Sequence, residues 1–270
     1  MRSEQLAEGI TLYCGDCRDI LPGLGQFDFI FTDPPYGHNN NNGDLIHRRE
    51  RTLGMFNKNA PSRPIANDGP EETAALIEWF FAQAPKLLLA GGCCCCCCCG
   101  GGPDPQFARW SLELDKHLEF KQMVVWDKGP IGMGWHYRRS YETVLVAQKP
   151  GAACRWYDET QQIENIIRAG YRGINKIIPQ ESDHPTPKPP ELARHFMRLH
   201  TLPGHSVLDP FMGSGTTGVA AVQEGRSFVG IELESQWFDL ACRRIAEALR
   251  QPDLFISKPA PKPEQQKLAI

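Results

Sequence analysis

Apolar residues in this chain come in short runs that stop at proline or glycine, alternating with longer stretches in which apolar positions recur every three or four residues. Phe27 to Thr32 (FDFIFT) reads as a strand, halted by Asp33-Pro34-Pro35. Met123 to Trp126 and Thr143 to Ala147 are further strand candidates, and Glu71 to Ala84 has helical spacing. Past Pro179, the segment His184 to Pro190 holds too many prolines for regular structure, and a helix follows over Glu191 to His200. Ser206 to Leu208 is then a short strand, Thr216 to Glu224 a helix, Ser227 to Ile231 a strand and Gln236 to Arg250 a terminal helix. Strands alternating with helices predict an α/β fold, with a mixed, mostly parallel sheet covered by helices on both faces. There is no internal repeat.

Composition adds one anomaly to an otherwise ordinary profile. Of eleven cysteines in 270 residues, seven are consecutive, Cys93 to Cys99. Neighbours on a strand point to opposite faces, so the run cannot make a spaced disulfide framework or a zinc knuckle, and no metal is expected. Free cysteine behaves as a small hydrophobe. Between Leu87-Leu88-Leu89 and Gly100-Gly101-Gly102 the run reads as a buried central strand, one that needs a reducing compartment. The N-terminus lacks the apolar core of a signal peptide, and no stretch is apolar enough to span a bilayer. The expectation is a cytoplasmic protein with one domain over residues 1–256 and a disordered Pro- and Lys-rich tail over 257–270.

The net charge of −3 decides nothing about partners, but its distribution does. Arg48, Arg49, Arg51 and Lys58 crowd the polar stretch 37–70, and Arg138 and Arg139 open a second basic region that continues through 150–183. These are either solvated surface or two loops that neutralise phosphates locally.

Two segments carry candidate chemistry. The strand ending at Asp209 runs through Pro210-Phe211-Met212 into a Gly213-Ser214-Gly215 turn and a helix. Glycines there let a backbone approach a ligand at the carboxyl ends of the strands, where open α/β sheets bind cofactors. Glu232, just past the next strand, is placed to accept both hydroxyls of a ribose. A structural strand-to-helix turn would look similar, and no phosphate-binding GxxxxGK[ST] loop is present. The second segment is Asp33-Pro34-Pro35-Tyr36. An exocyclic amine of a nucleobase is a poor nucleophile because its lone pair is delocalised into the ring. The Asp33 carboxylate and the Pro34 carbonyl could accept its hydrogens and aim that lone pair at a methyl donor, with Pro35 stiffening the turn. Tyr36 offers a flat face for a flipped base. A plain turn capped by Asp is the competing reading.

Together these segments resemble the amino-methyltransferases of DNA, with their catalytic DPPY and their FxGxG cofactor loop (Phe211 to Gly215). DPPY precedes the loop by some 175 residues, the permuted order of that family's β class. His184-Pro185-Thr186-Pro187-Lys188-Pro189 matches its HPTxKP element and Gly15-Asp16-Cys17 its GDC segment, so the resemblance spans about Leu12 to Arg250. It implies a Rossmann-like fold and S-adenosylmethionine as cofactor. Asp16 and Cys17 would flank the cofactor's adenine and Glu232 its ribose. Asp209, Phe211, Gly213, Ser214 and Gly215 would surround the methionine part, with Lys188 near its carboxylate. Asp33, Pro34, Pro35 and Tyr36 would serve the target base. Trp126-Asp127-Lys128 stands where the family often has an aromatic–basic pair, although a core Trp with solvated charges reads equally well.

The acidic DPPY form points to adenine N6 in double-stranded DNA, with cytosine N4 the alternative and a non-catalytic DNA-binding relative the competitor from another class. Little room remains for a separate recognition domain, so sequence reading falls on the loops 37–70 and 150–183 or on a second subunit of a homodimer. Outside these motifs, Gln251-Pro252-Asp253-Leu254-Phe255 resembles the short peptide by which bacterial proteins bind the replication sliding clamp. The competing reading has Leu254 and Phe255 covering this protein's own core.

Overall fold

The computed structural model describes residues 2–39, 65–98, 106–129, 136, 140–168 and 188–250. Along the chain these form β1 (Arg2–Ala7), β2 (Ile10–Cys14), α1 (Cys17–Ile20), β3 (Phe27–Thr32), α2 (Pro70–Leu87), β4 (Leu88–Cys98) and α3 (Gln106–Asp115). After them come β5 (Glu119–Asp127), β6 (Tyr141–Gln148), β7 (Ile166–Ile167), α4 (Pro190–His200), β8 (Ser206–Asp209), α5 (Thr216–Gln223), β9 (Ser227–Glu232) and α6 (Ser235–Arg250).

The strands make one mixed sheet in the order β1-β2-β9-β8-β3-β4-β6-β5-β7. The five strands β2, β9, β8, β3 and β4 are mutually parallel, while β6 runs antiparallel to both β4 and β5. Alternation along each strand divides the core. Phe29, Phe31, Cys93, Cys95 and Cys97 face α4, α5 and α6, through Phe196, Ala220 and Phe238. Ile30, Cys94, Cys96 and Leu208 face α2 and α3, through Phe80, Phe81 and Leu114. The mostly parallel sheet with helices on both faces is the expected architecture.

Cys93 to Cys98 form the second half of β4, with Cys93 to Cys97 at most 2% exposed, Cys93 to Cys96 paired to β3 on one side and Cys93 to Cys98 to β6 on the other. Helix α2 runs further than its sequence suggests, to Leu87, with Pro85 inside its last turn, where one backbone hydrogen bond at most is lost. Elements with weak patterns escaped sequence reading. The β1–β2 hairpin is one, because its edge strand RSEQLA is exposed and carries little alternation. Short α1, α3 and the two-residue β7 are the others. Arg48, Arg49, Arg51, Lys58, Arg138, Arg139, Cys99, the His184–Pro187 part of the proline-rich element, Gln251–Phe255 and the tail 257–270 lie outside the described residues.

Candidate active site

Because β2, β9, β8 and β3 are parallel neighbours, their carboxyl ends line one edge of the sheet. That edge gathers Gly15-Asp16, Glu232, the Asp209–Gly215 loop and the Asp33–Tyr36 turn, which stand far apart in sequence. One contact ties the central pair of these segments together, and two more shape the Asp209–Gly215 loop. Thr32 Oγ1, the last residue of β3, donates to Asp209 Oδ1 at 2.8 Å, and Thr217 Oγ1 on α5 donates to Asp209 Oδ2 at 2.5 Å. Phe211 N also donates to Asp209 Oδ1, at 3.1 Å. Burial pushes the Asp209 carboxyl up to about 6, against these donors. Asp209, expected among the cofactor's neighbours, thus spends both oxygens inside the protein, shaping the loop and tying it to β3 just ahead of the Asp33–Tyr36 turn.

The loop itself is held by side chains beneath it. Glu232 Oε2 accepts from Gly213 N at 3.0 Å and Oε1 from Glu234 N at 2.8 Å. Desolvation raises this carboxyl to about 7. Arg244 on α6 donates to the Ser214 carbonyl at 2.6 Å and to its hydroxyl at 2.8 Å, so Ser214 faces inward. Gly215 adopts φ +81°, and a Cβ there would stand 2.9 Å from the Ala241 Cβ, so glycine is required on two counts. Phe211 packs edge-on against Phe80 of α2, with ring centroids 5.5 Å apart. At the edge of β2, Asp16 caps α1 through Arg18 N at 2.8 Å and pairs with the Arg18 guanidinium, which holds its carboxyl low. Cys17 is buried, its thiol pushed up to about 12.

The catalytic candidates form a compact charged cluster. Tyr36 donates its hydroxyl to Asp33 Oδ1, and Lys188 Nζ reaches Asp33 Oδ2 at 2.6 Å and the Tyr36 hydroxyl at 2.9 Å. Lys188 Nζ also lies 3.6 Å from Glu142 on β6, which takes Lys128 Nζ at 2.5 Å on its other oxygen. Burial raises the Asp33 carboxyl, opposed by the Lys188 charge; Glu142, flanked by two ammonium groups, ends below its ordinary value despite burial. The resemblance put Lys188 beside the cofactor's carboxylate; the structure gives it Asp33 and Tyr36 as immediate partners. Trp126 is a core residue, but Lys128 is not merely solvated, since it neutralises Glu142.

Three contributors had no signal in the motifs. Asp68 accepts from Tyr36 N at 3.0 Å and Gly37 N at 2.8 Å, fixing the turn beyond Pro35 from just before α2. An Asn-Asp-Gly-Pro sequence ahead of a helix hints at a turn, but not at this partner. Glu142 and Arg244 sit in ordinary strand and helix patterns, and only the tertiary fold brings them to the site.

With this geometry in view, comparison with known proteins is decisive. The DNA methylase family profile for N6 and N4 methyltransferases matches residues 27–243. The chain belongs to this family. Over 119 residues it is 32% identical to the type II methyltransferase M2.DpnII of Streptococcus pneumoniae, covering 41% of this chain and 44% of that one. DNA adenine methyltransferase YhdJ of Escherichia coli K12 is 24% identical over 267 residues, 88% of this chain and 83% of the relative. Among solved structures, the M1.HpyAVI–SAM complex aligns with TM-score 0.58 at 26% identity, covering 86% of this chain and 98% of that one. The cytosine-N4-specific PvuII DNA methyltransferase aligns with TM-score 0.63 at 19% identity, over 92% and 88%, a likeness of fold. This DNA methylase is an amino-methyltransferase with the Rossmann-like fold of S-adenosylmethionine-dependent enzymes, and S-adenosylmethionine is its cofactor. Its residues fit that cofactor. Each Glu232 oxygen accepts one backbone N–H and keeps a lone pair, leaving one acceptor for each of two ribose hydroxyls.

Proposed function

We propose that the protein transfers a methyl group from S-adenosylmethionine to N6 of adenine in double-stranded DNA. The observation that carries this reading is the carboxylate at Asp33, seated one residue beyond Thr32 and so coupled through Asp209 to the cofactor loop. Tyr36 and Lys188 occupy one acceptor position on each Asp33 oxygen, and the remaining lone pairs are free to take the hydrogens of an amine. Glu232 would hold the cofactor's ribose, and the Phe211–Gly215 turn its methionine part. Bound there, S-adenosylmethionine supplies an electrophilic sulfonium methyl. Asp33, with the Pro34 carbonyl, orients the amine, and Tyr36 stacks on the flipped base. A raised carboxyl at Asp33 suits it to accept the proton that the methylated nitrogen sheds, while the Lys188 ammonium keeps it ionised beforehand. We place Lys188 with this catalytic group.

Plasmid DNA from a methylation-free host expressing the protein should yield N6-methyladenine on nucleoside mass spectrometry, at one motif by single-molecule sequencing. N4-methylcytosine alone would move the target to cytosine; neither base modified would leave a non-catalytic DNA binder.

Within this reading one domain spans 1–256, and sequence recognition falls on 37–70 and 150–183, alone or shared across a homodimer. The buried thiols suit the reducing cytoplasm. Gln251–Phe255 would dock on the sliding clamp and bring the enzyme to newly copied DNA. A Leu249–Ser257 peptide should then compete with known clamp ligands, and failure to compete removes that partner.

A further inference from the structure

Cys93, Cys154 and His200 converge from three separate elements. Cys93 is in the central strand β4, Cys154 in the connection after β6, and His200 ends α4. The connection is sewn between the other two: Arg155 N donates to the Gly91 carbonyl and Tyr157 N to that of Leu199, both at 2.9 Å. The two sulfurs lie 2.8 Å apart, Cys154 Sγ is 3.8 Å from His200 Nδ1, and all three donor atoms fall within 4.8 Å of one another. His200 is 3% exposed, and its ring is clamped by Phe29, stacked at 5.5 Å, and by Trp156, edge-on at 5.3 Å. Two thiols, one buried and one half-buried, and a fixed, buried imidazole form one soft, preoriented donor set.

We propose that Cys93, Cys154 and His200 bind a thiophilic divalent cation, zinc(II), at a site separate from the methyl-transfer centre. On binding, each thiol releases its proton to solvent, and the two thiolate charges match the 2+ ion, so the loaded site is neutral apart from its imidazole dipole. Zinc–sulfur bonds of about 2.3 Å at a tetrahedral angle require sulfurs about 3.8 Å apart. Cys154, on an irregular and partly exposed segment, is the residue that yields the extra separation, because Cys93 is fixed by pairing on both sides. His200 Nδ1 also lies 3.2 Å from the Arg155 carbonyl, and coordination exchanges that contact for the metal. Three protein donors leave a fourth position for water. Cys93 is paired with Phe29, four residues before Asp33, so the site lies roughly 13 Å along the sheet from the catalytic turn. The ion therefore staples α4 and the 149–157 connection to the central strand.

The test uses full-length protein, reduced with a phosphine and stripped with a chelator, titrated with cobalt(II). One cobalt per chain should bind with a sulfur-to-cobalt charge-transfer absorption, and zinc(II) should displace it. Cys154→Ser should lower the affinity by about 100-fold or more and remove that absorption, as should His200→Gln, whereas Cys242→Ser, on α6, should change nothing. Zinc should raise the melting temperature of the wild type but not of Cys154→Ser. If His200→Gln loses its circular dichroism, the partly exposed Cys154 decides the matter. An identical cobalt spectrum in Cys154→Ser, or none in the wild type, would overturn the site. So would a mapped Cys93–Cys154 disulfide in protein that takes up no metal after reduction.

Discussion

Asp33 stands between two opposing influences, a buried setting that favours its neutral form and an ammonium at 2.6 Å that favours the carboxylate. Asp33→Asn keeps the shape of the side chain but loses the charge that polarises an amine as it becomes a nucleophile. Turnover should fall about a thousandfold, while S-adenosylmethionine affinity by calorimetry stays within twofold. Equal turnover would remove Asp33 from the chemistry. Glu232 gives a second prediction, this time with a pH signature. Its folded carboxyl is raised to about 7, above the unfolded value, so the stability it contributes is complete below about pH 4.5 and is lost as pH rises through 7. Melting temperature of the cofactor-free protein should fall over that window, and fall less in Glu232→Gln; Asp209 contributes in the same direction but is common to both proteins. Ribose hydroxyls prefer the ionised form, so cofactor affinity should instead rise about tenfold from pH 6 to pH 8 in the wild type only.

Among the elements, the β8–α5 connection concentrates the constraints. Gly215 combines a left-handed backbone with contact against Ala241 of α6, and Gly218 one turn later would drive a Cβ to 2.4 Å from Ile245. Gly215→Ala should destabilise the protein by about 1–3 kcal/mol in denaturant unfolding and loosen cofactor binding as the loop shifts. Unchanged stability would mean that α6 can move away at no cost. These glycines answer to helix packing, which a glycine-rich loop in a sequence does not disclose.

At the scale of the whole molecule, a mildly acidic protein must hold a polyanion. If Arg48, Arg49 and Arg51 touch phosphates, replacing all three with Ala should weaken DNA binding and flatten its dependence on salt, by up to about three units of slope. Affinity and slope unchanged would return that cluster to solvated surface. The sheet edge itself offers the Asp209–Gly215 loop and the Asp33–Tyr36 turn side by side, the arrangement expected of parallel strands whose crossovers place helices on both faces.

Local chemistry determined much of this protein from its sequence. The short apolar runs, the prolines after Thr32 and the glycines after Met212 announced strands, stops and turns, because each acts through its own backbone. The DPPY and FxGxG motifs were legible for the same reason, since their residues are contiguous. The seven consecutive cysteines likewise declared a buried strand, by bulk hydrophobicity alone. What only the tertiary structure decided were partnerships across the chain: Lys188 on Asp33, Asp209 on Thr32, Asp68 under Tyr36, Arg244 under Ser214 and Cys93 beside Cys154 and His200. Such pairs join residues tens to nearly two hundred positions apart. Their short-range forces act only after the sheet has fixed which backbones are neighbours, and spacing along the sequence carries no trace of that.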